Sequence, residues 1–324
     1  MARRPGDYRG DRYDTGAGPR RREEGNAPMI TVSVASGKGG AGKTSLSAAI
    51  AASLGAECVF ADCDVDAANG AIALGATIAT REPYFAGPGF TIATSACSGC
   101  GACHAACRFG AIEPVSGADA FRIVPELCER CGACMARCQT RAISTYEKQA
   151  GELFVSDTRM GIRLVHAELE PGEDTSGKLV ALVRRRAEAI AGAHAVIVVD
   201  APPGIGCPVI ASITGCDLLT IVVEASASGI RDASRLVELA ESMHRRSLGI
   251  INKAGLDADM DERALAMLAK AGIPLAGRIP FDLALRSAEE SNRTWASVDC
   301  ESTPKIRAAL AAIKSVLDTL KEKR

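Results

Sequence analysis

The sequence has little net charge, few aromatic residues and no long hydrophobic run. Its 38 basic and 39 acidic residues nearly cancel, which gives no global argument for a nucleic-acid partner or an anionic membrane surface. No apolar stretch approaches the roughly 18 residues that a membrane-spanning helix needs. The paired arginines near the start are followed by polar residues, whereas a signal peptide would continue with an apolar segment. We therefore expect a soluble, cytoplasmic protein that has no membrane span and binds no nucleic acid.

The sequence is rich in core-forming residues and in cysteine. Hydrophobic residues make up 47% of the 324 positions, which is enough to build a full core. Thirteen residues are cysteines, and eight of them fall in two dense groups instead of being scattered like a disulfide framework. In a cytosolic protein this grouping indicates metal binding.

Residues 1–28 differ from the rest because they contain seven arginines, five acidic residues and almost nothing apolar. Such a segment cannot bury enough surface to offset the entropy lost on ordering, so we expect a disordered tail. A basic docking arm is the second interpretation.

From residue 29 onward, predicted buried strands alternate with helices. A helix is predicted over residues 177–192, and residues 151–169 alternate like a β-hairpin. This order predicts an α/β fold with a doubly wound, mostly parallel sheet. The two cysteine groups interrupt the alternation. We therefore predict one large domain formed by residues 29–94 and 146–324, with a small α+β insert at 95–145.

A phosphate-binding pattern, G-x-x-x-x-G-K-T, runs from Gly37 to Thr44 between a predicted strand and a predicted helix. Glycines let backbone N–H groups converge on phosphate oxygens, and the helix dipole adds positive potential there. Lys43 is expected to reach the β- and γ-phosphates, and the Thr44 hydroxyl to bind Mg²⁺. The predicted nucleotide contacts in this loop are Gly37, Lys38, Gly39, Gly40, Ala41, Gly42, Lys43, Thr44 and Ser45.

Polar residues close three further predicted strands. Asp200 ends AVIVVD, where such folds keep the acid near Mg²⁺. Asp62, Asp64 and Asp66 follow another strand, and because alternate residues share a face, a Mg²⁺ contact at Asp62 and a water-orienting carboxylate could share one site. Asn252, in NKAG, is predicted to hydrogen-bond the base. The acid that reads guanine in Asn-Lys-x-Asp motifs is replaced by glycine here, which favours adenine.

The stretch KGGAGKT, with its additional early lysine, resembles the deviant Walker A motif of the MinD/ParA/Mrp group of P-loop ATPases. DCDVDAAN and DAPPGIG resemble the switch I and switch II segments of that group, and the resemblance runs from about Met29 to the C-terminus. It implies a homodimer with ATP at the interface, in which Lys38 reaches the phosphates of the partner's nucleotide and Asp64 positions water. A lysine supplied in trans would neutralise transition-state charge as an arginine finger does. The alternative for Lys38 is an ordinary solvated surface lysine.

Both cysteine groups have the spacing C-x2-C-x2-C-x3-C, in CSGCGACHAAC and CERCGACMARC. At this spacing three thiolates bind one 4Fe–4S cluster and the fourth ligates the other cluster. The spacing therefore assigns one cluster to Cys97, Cys100, Cys103 and Cys138, and the second to Cys128, Cys131, Cys134 and Cys107. Two Cys₄ zinc sites are the alternative, although zinc usually uses separated C-x2-C pairs.

These groups, with FGAI and TRAI after them, resemble the halves of a bacterial two-cluster ferredoxin. They depart from that pattern at Arg108 and Gln139, which stand where proline follows the fourth cysteine. The ligands are intact, but the departure puts the local loop geometry in question. The whole chain thus resembles MinD-type ATPases with an inserted ferredoxin domain, a family without a settled substrate.

Three functions are compatible with this combination. The first is an ATP-driven assembly or carrier factor for iron–sulfur clusters or metallocofactors, with an apo-protein client. The second is an ATP-gated, low-potential electron donor that resembles the nitrogenase iron protein and serves a redox partner. The third is a ParA-like positioning ATPase. It would need a basic DNA-binding surface or a C-terminal membrane helix, whereas the amphipathic C-terminal segment is expected to pack on the domain.

Cys207 follows switch II and precedes Pro208, so it is predicted to be a helix N-cap. A thiol at a helix N-terminus has a lowered pKa and readily binds metal. The spacing from Asp200 to Cys207 resembles that to a cluster-ligating cysteine in the nitrogenase iron protein, which implies a cluster shared across the dimer. Further ligands would have to come from Cys63 or from a client. The alternative is a small buried residue at the start of the helix.

Overall fold

The computed structural model describes residues 29–173, 176–192 and 195–323. The predicted disordered tail, residues 1–28, lies outside the described residues. Within the described part, nine strands form one sheet and two short strands form a second. The strands are β1 (Ile30–Ala35), β2 (Cys58–Asp62), β3 (Ala76–Ile92), β4 (Ile112–Pro114), β5 (Phe121–Ile123), β6 (Ile143–Thr158), β7 (Arg163–Leu169), β8 (Val196–Asp200), β9 (Leu218–Glu224), β10 (Ser247–Ala254) and β11 (Leu275–Pro280).

Helices connect most of these strands, and several begin at the capping residues that the sequence offers. Ser176, Ser226 and Asp257 each accept a hydrogen bond from a backbone N–H of the following helix, which satisfies a donor that the helix itself leaves free. The helices are α1 (Lys43–Leu54), α2 (Gly70–Leu74), α3 (Ala102–Ala106), α4 (Ala133–Arg137), α5 (Gly177–Ile190), α6 (Cys207–Ile213), α7 (Ala227–Ser242), α8 (Ala258–Lys270), α9 (Leu283–Glu290) and α10 (Thr303–Glu322).

The order of strands in the large sheet is β11-β10-β9-β1-β8-β2-β7-β6-β3. All neighbours from β11 to β7 are parallel, whereas β6 pairs antiparallel with both β7 and β3. The predicted mostly parallel sheet is therefore confirmed, and the predicted hairpin is β6 and β7. Helix α5 ends at Ile190, two residues earlier than predicted.

Helices cover both faces of the parallel part of the sheet. One face packs against α1, α2, α9 and α10, and the other against α5, α6, α7 and α8. The C-terminal helix α10 buries Ile306, Leu310, Ile313 and Leu317 in this core, so its apolar face is already occupied, as predicted. In the described part of the chain, no helix has the length and apolar character needed to cross a membrane.

Strands β3 and β6 are longer than their neighbours and extend past the sheet. The last residue of β7, Leu169, pairs with Gly151 of β6, yet β6 still pairs with β3 as far as Ile143 and Ile92. The outer halves of both strands thus form a two-stranded ribbon beyond the carboxyl ends of the parallel strands. Residues 93–142, which carry both cysteine groups, connect the two strands at its tip.

Candidate functional site

The phosphate-binding loop connects β1 to α1 at the carboxyl edge of the sheet. Gly40 and Gly42 have φ of +71° and +92°, a left-handed conformation that glycine adopts without strain. A side chain at Gly37 would approach the backbone of Asp232 to 2.1 Å, so close packing against α7 also requires glycine there. The loop therefore has the tight backbone that leaves its N–H groups available to a phosphate.

Lys43, the first residue of α1, is only 4% exposed. Its ammonium lies 4.0 Å from a carboxylate oxygen of Asp64, so the predicted phosphate lysine and the predicted water-positioning acid are adjacent. Burial raises the pKa of Asp64, and the nearby Lys43 charge opposes that increase. The pair places one cation and one carboxylate beside the phosphate-binding loop.

Asp200 is fully buried at the end of β8, close to the start of α1. One of its oxygens accepts a hydrogen bond from Ser47 at 3.0 Å, and the Thr44 hydroxyl lies beside the carboxylate. The other oxygen, Oδ2, has no hydrogen-bond partner among the described residues. Burial raises the pKa of Asp200 to about 6, although hydrogen bonds from Thr44 and Ser47 and the charge of Lys43 oppose that increase. The sequence reasoning missed Ser47 because it lies one helical turn beyond the motif.

Asp62 stands beside Asp200 in the register of β2 and β8 and is also fully buried. Its two oxygens accept backbone N–H groups, from Asp64 at 3.2 Å and from Gly70 at 2.8 Å. Burial raises its pKa, and the charge of Asp200 raises it further. Asp62 thus shapes the loop after β2, whereas Asp66, which was predicted alongside it, is exposed.

Lys38 contacts Glu224 at the carboxyl end of β9. Its ammonium donates to Glu224 at 2.6 Å and to the Ser228 hydroxyl at 3.3 Å. Lys253 donates to the other oxygen of Glu224 at 2.8 Å. Lys38 is therefore held in an ion-pair network within its own subunit, which a solvated surface lysine would not be.

Asn252 lies beside the phosphate-binding loop and is 4% exposed. Its amide donates to the carbonyl of Ala41 at 2.8 Å, so in this structure the side chain holds the loop. Two residues that the sequence did not indicate lie nearby. Glu289 accepts hydrogen bonds from the Ser45 hydroxyl and, at 2.9 Å, from the Trp295 ring N–H.

The two cysteine groups share one backbone conformation. Each follows a short 3-10 turn, and each enters its helix, α3 or α4, through a glycine, Gly101 or Gly132, with φ of +69° or +73°. Corresponding positions are 31 residues apart in the sequence, as for Cys97 and Cys128. Arg108 and Gln139 stand at equivalent places after the fourth cysteines, and the chain takes the same path into each.

Hydrogen bonds between the two repeats are reciprocal. The N–H of Ala93 donates to the carbonyl of Ala142 at 2.9 Å, and the N–H of Val124 donates to the carbonyl of Ala111 at 2.8 Å. Donors and acceptors are again 31 residues apart, so the segment has approximate twofold symmetry. Helices α3 and α4 pack against each other, and a small apolar core lies beneath them.

The thiols within this segment lie close together. Burial raises the pKa of Cys103, and the neighbouring Cys97 and Cys138 raise it further. Burial likewise raises the pKa of Cys134, with a further contribution from Cys128 and Cys131. A cavity at the second repeat is lined by Cys107, Cys128, Cys131 and Cys134 among other residues. The cysteines that lie near Cys103 belong to the ligand set predicted for Cys103, and those near Cys134 belong to the set predicted for Cys134.

Cys138 has hydrogen bonds that suit a thiolate. Its sulfur accepts the N–H of Ala142 at 3.3 Å and lies 3.6 Å from the Thr140 hydroxyl. Burial would raise the pKa of Cys138, but these hydrogen bonds outweigh it and lower the pKa below the usual value. Among the described residues, no three His, Cys, Asp or Glu side chains converge on one point as a single metal ion requires. A cubane cluster places its thiolates around a larger body, so this finding does not bear on it.

Cys207 is the first residue of α6, and its N-cap is Gly206, so the predicted cap position is wrong by one residue. The thiol is exposed, which excludes the alternative of a buried core residue. Cys63 is fully buried, and burial raises its pKa strongly. In this conformation Cys63 cannot supply a second ligand at the surface.

Comparison with known proteins gives the same fold. A model of the CobQ/CobB/MinD/ParA nucleotide binding domain matches residues 32–295. An uncharacterized protein of Methanocaldococcus jannaschii is 33% identical over 237 residues, which is 71% of this chain and 80% of that protein.

Solved structures with a similar fold include cell division proteins. The MinD cell division protein of Aquifex aeolicus has a TM-score of 0.52 and 19% identity, covering 89% of this chain and 97% of its own. MinD of Pyrococcus horikoshii, solved with Mg-ADP, has a TM-score of 0.53 and 16% identity, covering 91% of this chain and 99% of its own. At this identity the likeness shows the fold alone. The family model, which spans most of the chain including the phosphate-binding loop, establishes that this protein is a P-loop ATPase of the CobQ/CobB/MinD/ParA nucleotide-binding family.

Proposed function

We propose that this protein is an ATP-hydrolysing iron–sulfur protein that acts as a homodimer and assembles or carries iron–sulfur clusters for client proteins. The observation that carries the proposal is the twofold-symmetric segment with its eight cysteines. It stands on a ribbon at the same edge of the sheet as the phosphate-binding loop. Four strand spacings separate β1 from β6, which is about 19 Å. The two predicted sites would therefore share one edge of the sheet.

Mg-ATP fits the first part of this edge. The backbone of residues 37–42 and Lys43 would hold the phosphates. The Thr44 hydroxyl and the unpaired oxygen of Asp200 would hold Mg²⁺, which would compensate the buried charge. Because both oxygens of Asp62 already accept backbone hydrogen bonds, we assign Asp62 to a water-mediated contact with the cation. Mg²⁺ commonly keeps several waters, which is compatible with that role.

Asp64 and Lys38 would complete hydrolysis. Asp64 lies 4.0 Å from Lys43, so its carboxylate is close enough to the γ-phosphate region to orient water there. Lys38 would contribute from the partner subunit. Its ammonium is at the surface, with the side chain 28% exposed, and contacts only Glu224 and Ser228 among the described residues.

Two 4Fe–4S clusters fit the symmetric segment. The glycines before α3 and α4 leave room at the backbone, and each predicted ligand set combines three thiols of one repeat with the fourth thiol of the other. The hydrogen bonds to Cys138 lower the pKa of its thiol, which favours the thiolate that a cluster requires. When bound, the clusters would supply one-electron transfer at low potential.

A second function, an ATP-gated electron donor, is favoured by the burial of Cys103 and Cys134. These thiols are 7% and 9% exposed, whereas Cys100 and Cys131 of the same sets are exposed, so each cluster would have one ligand anchored in the interior, which suits a cluster that stays in place. The exposed Cys207 favours the carrier role instead, because an accessible thiol suits a cluster that must leave. A positioning role has less support, since α10 buries its apolar face in the core.

The test is anaerobic purification followed by metal analysis and transfer assays. We expect about eight iron and eight sulfide per chain, and about half of that after Cys103→Ser. Cys300→Ser is the matched control, because Cys300 is half-buried but lies outside both repeats. Stoichiometric zinc without sulfide would contradict the proposal.

The same material separates the two iron–sulfur functions. A carrier delivers iron and sulfide to an apo-acceptor in an ATP-dependent manner and loses them itself. An electron donor reduces a redox acceptor and keeps its iron. When the purified protein carries isotopically labelled iron, one experiment measures how much label reaches the acceptor and how much stays on the protein.

A further inference from the structure

A buried carboxylate, Glu173, joins the second cysteine repeat to the body of the ATPase. It follows β7, and its side chain is 8% exposed. Arg130, from the cysteine segment, and Lys148, from β6, contact the same oxygen of Glu173, the latter at 2.8 Å. These partners are also mostly covered, with side chains 18% and 27% exposed. Removing one partner of an ion pair so shielded from solvent is costly, because it leaves a buried charge without compensation.

Arg130 stands between Cys128 and Cys131 in an unusual conformation. Its φ is +53°, a left-handed value that costs a residue with a side chain roughly 1 kcal/mol or more. The equivalent residue of the first repeat is Gly99, which has φ of +67° and no such cost. The left-handed turn belongs to both repeats, since Arg141 has φ of +55° where the first repeat has Gly110, and at position 130 the second repeat has an arginine that contacts Glu173. Among the residues that the structure describes, the first repeat has no ion pair with Glu173.

On its other side, Glu173 leads into α5, which packs on α6. Ser176 caps α5 and lies 3.3 Å from the Tyr84 hydroxyl on β3. A side chain at Gly177 would come within 3.3 Å of the Cys207 carbonyl, so the starts of the two helices are in close contact. Further along, Arg184 of α5 donates to the carbonyl of Ala211 in α6 and to that of Thr214 directly after it, both at 2.6 Å.

Helix α6 in turn begins directly after the loop that follows Asp200. In that loop the N–H of Gly204 donates to the carbonyl of Ser36, the residue before the phosphate-binding loop, at 3.0 Å. Contacts are therefore continuous from the phosphate-binding loop through α6 to α5, and Glu173, which contacts the second cysteine repeat, stands three residues before Ser176, the cap of α5, in the sequence. Energetic coupling between sites is carried by such packed elements when they have two arrangements.

We propose that Glu173 is a positioning residue that couples the nucleotide state to the cluster of the second cysteine repeat. The inference rests on the proposed function, because it needs a cluster at Cys128, Cys131, Cys134 and Cys107. A shift of the loop after Asp200 moves α6 and α5, and the Glu173–Arg130 ion pair passes that shift to the loop between Cys128 and Cys131. By linkage, ATP must change the reduction potential by the same free energy as reduction changes ATP affinity.

The test compares Glu173→Gln and Arg130→Gln with Glu170→Gln. Glu170 lies on the same segment and is exposed, so its substitution removes the same charge without the ion pair. Each protein is titrated electrochemically with Mg-ADP and with a non-hydrolysable Mg-ATP analogue. Removing a charge shifts the reduction potential with either nucleotide. The quantity compared is therefore the difference between the reduction potential measured with Mg-ADP and that measured with the Mg-ATP analogue.

We expect a nucleotide-dependent shift in the wild type that reflects about tenfold coupling, or ~59 mV for one electron. Glu170→Gln should keep this shift, and the other two variants should reduce it to less than a third. Their iron content should stay at that of the wild type. If Glu173→Gln keeps the full shift, the inference is wrong even though the iron–sulfur assignment holds.

A second readout does not depend on the cluster. Hydrogen–deuterium exchange of residues 93–142 should differ between the two nucleotides in the wild type and in Glu170→Gln, and should not differ in Glu173→Gln. If the wild type binds no iron, the proposed function fails, and this measurement alone decides whether Glu173 links the two regions. An equal response in Glu173→Gln and wild type overturns the inference.

Discussion

The ammonium of Lys38 lies 2.6 Å from a carboxylate oxygen of Glu224 in the same subunit. Burial would raise the pKa of Glu224, but hydrogen bonds from Lys253 and Lys38 outweigh it, so the pKa is below its usual value. The carboxylate is therefore ionised at neutral pH and holds both lysines. Any movement of Lys38 towards a partner subunit must weaken this contact.

The two lysines of the phosphate-binding loop should behave differently when replaced. Lys43 is buried at the start of α1, so Lys43→Ala should abolish ATP binding. Lys38 contacts Glu224 and Ser228 and is 28% exposed, so Lys38→Ala should retain ATP binding but lose ATP-induced dimerisation and most hydrolysis. Equilibrium binding, light scattering and phosphate release measure the three properties. Normal hydrolysis by Lys38→Ala would show that the lysine does not act in trans.

Weakening the Glu224 contact should favour the dimer. Glu224→Gln leaves a neutral acceptor for Lys38, and about 1 kcal/mol for an ion pair of this kind corresponds to an approximately fivefold larger dimerisation constant for each Lys38 released, so the dimer fraction at subsaturating ATP should rise. Analytical ultracentrifugation measures the fraction. A dimer fraction equal to or below that of the wild type would mean that Glu224 does not restrain Lys38.

Much of this site follows from local sequence patterns. The residues from Gly37 to Thr44, the acid Asp200 and the eight cysteines are fixed by short spacings next to recognisable strands or helices. Such patterns report chemistry that depends on the backbone within a few residues. The parallel sheet follows equally from its buried, uninterrupted strands.

The contacts that hold these motifs in place did not follow from the sequence. Glu224, Glu289 and Glu173 reach the site from distant parts of the chain, and a single glutamate carries no pattern. Strand β3 was also missed, because its prolines and glycines are unusual in a strand. They are tolerated here since β3 is the edge strand of the sheet, where half of the backbone hydrogen bonds are not required.

Glu289 should weaken nucleotide binding. Its carboxylate contacts the Ser45 hydroxyl in the first turn of α1, where it occupies a donor and adds negative charge close to the expected phosphates. Glu289→Gln should bind ADP about threefold more tightly, in line with the usual size of charge effects at a helix N-terminus. Glu290→Gln is the matched control, because Glu290 contacts only Arg286 among the described residues.

Trp295 offers a direct measurement of that binding. It is the only tryptophan in the sequence, and a side chain at Gly42 would meet its ring at 3.2 Å. Its fluorescence should therefore respond to nucleotide in the phosphate-binding loop. Equal affinities for Glu289→Gln, Glu290→Gln and wild type would contradict the prediction.

His166 should make the fold less stable in mild acid. Its ring is 2% exposed, and burial lowers its pKa below the ordinary value of 6.5. Between the two pKa values His166 is protonated in the unfolded chain and neutral in the folded chain. The free energy of unfolding therefore has its full value above pH 6.5 and falls as the pH decreases towards the pKa of the folded state. His166→Leu should have a smaller loss of unfolding free energy between pH 7.5 and 5.5. His244→Asn, at an exposed position, should retain the wild-type loss, and denaturant titration measures both.

Cys207 should matter for delivery of a cluster more than for storage of one. The thiol is exposed at the first residue of α6, beside the loop that follows Asp200, whereas Cys63 is buried and unable to assist it in this conformation. We therefore expect Cys207→Ser to keep the iron of the two repeats and to lose a small additional amount per dimer. Its rate of ATP-dependent cluster transfer to an apo-acceptor should fall at least tenfold. Cys216→Ser, a buried position near the end of the same helix, is the control. Unchanged iron per dimer together with unchanged transfer would show that the cysteine has no part in either step, because a cluster shared by two subunits cannot form without a thiolate from each.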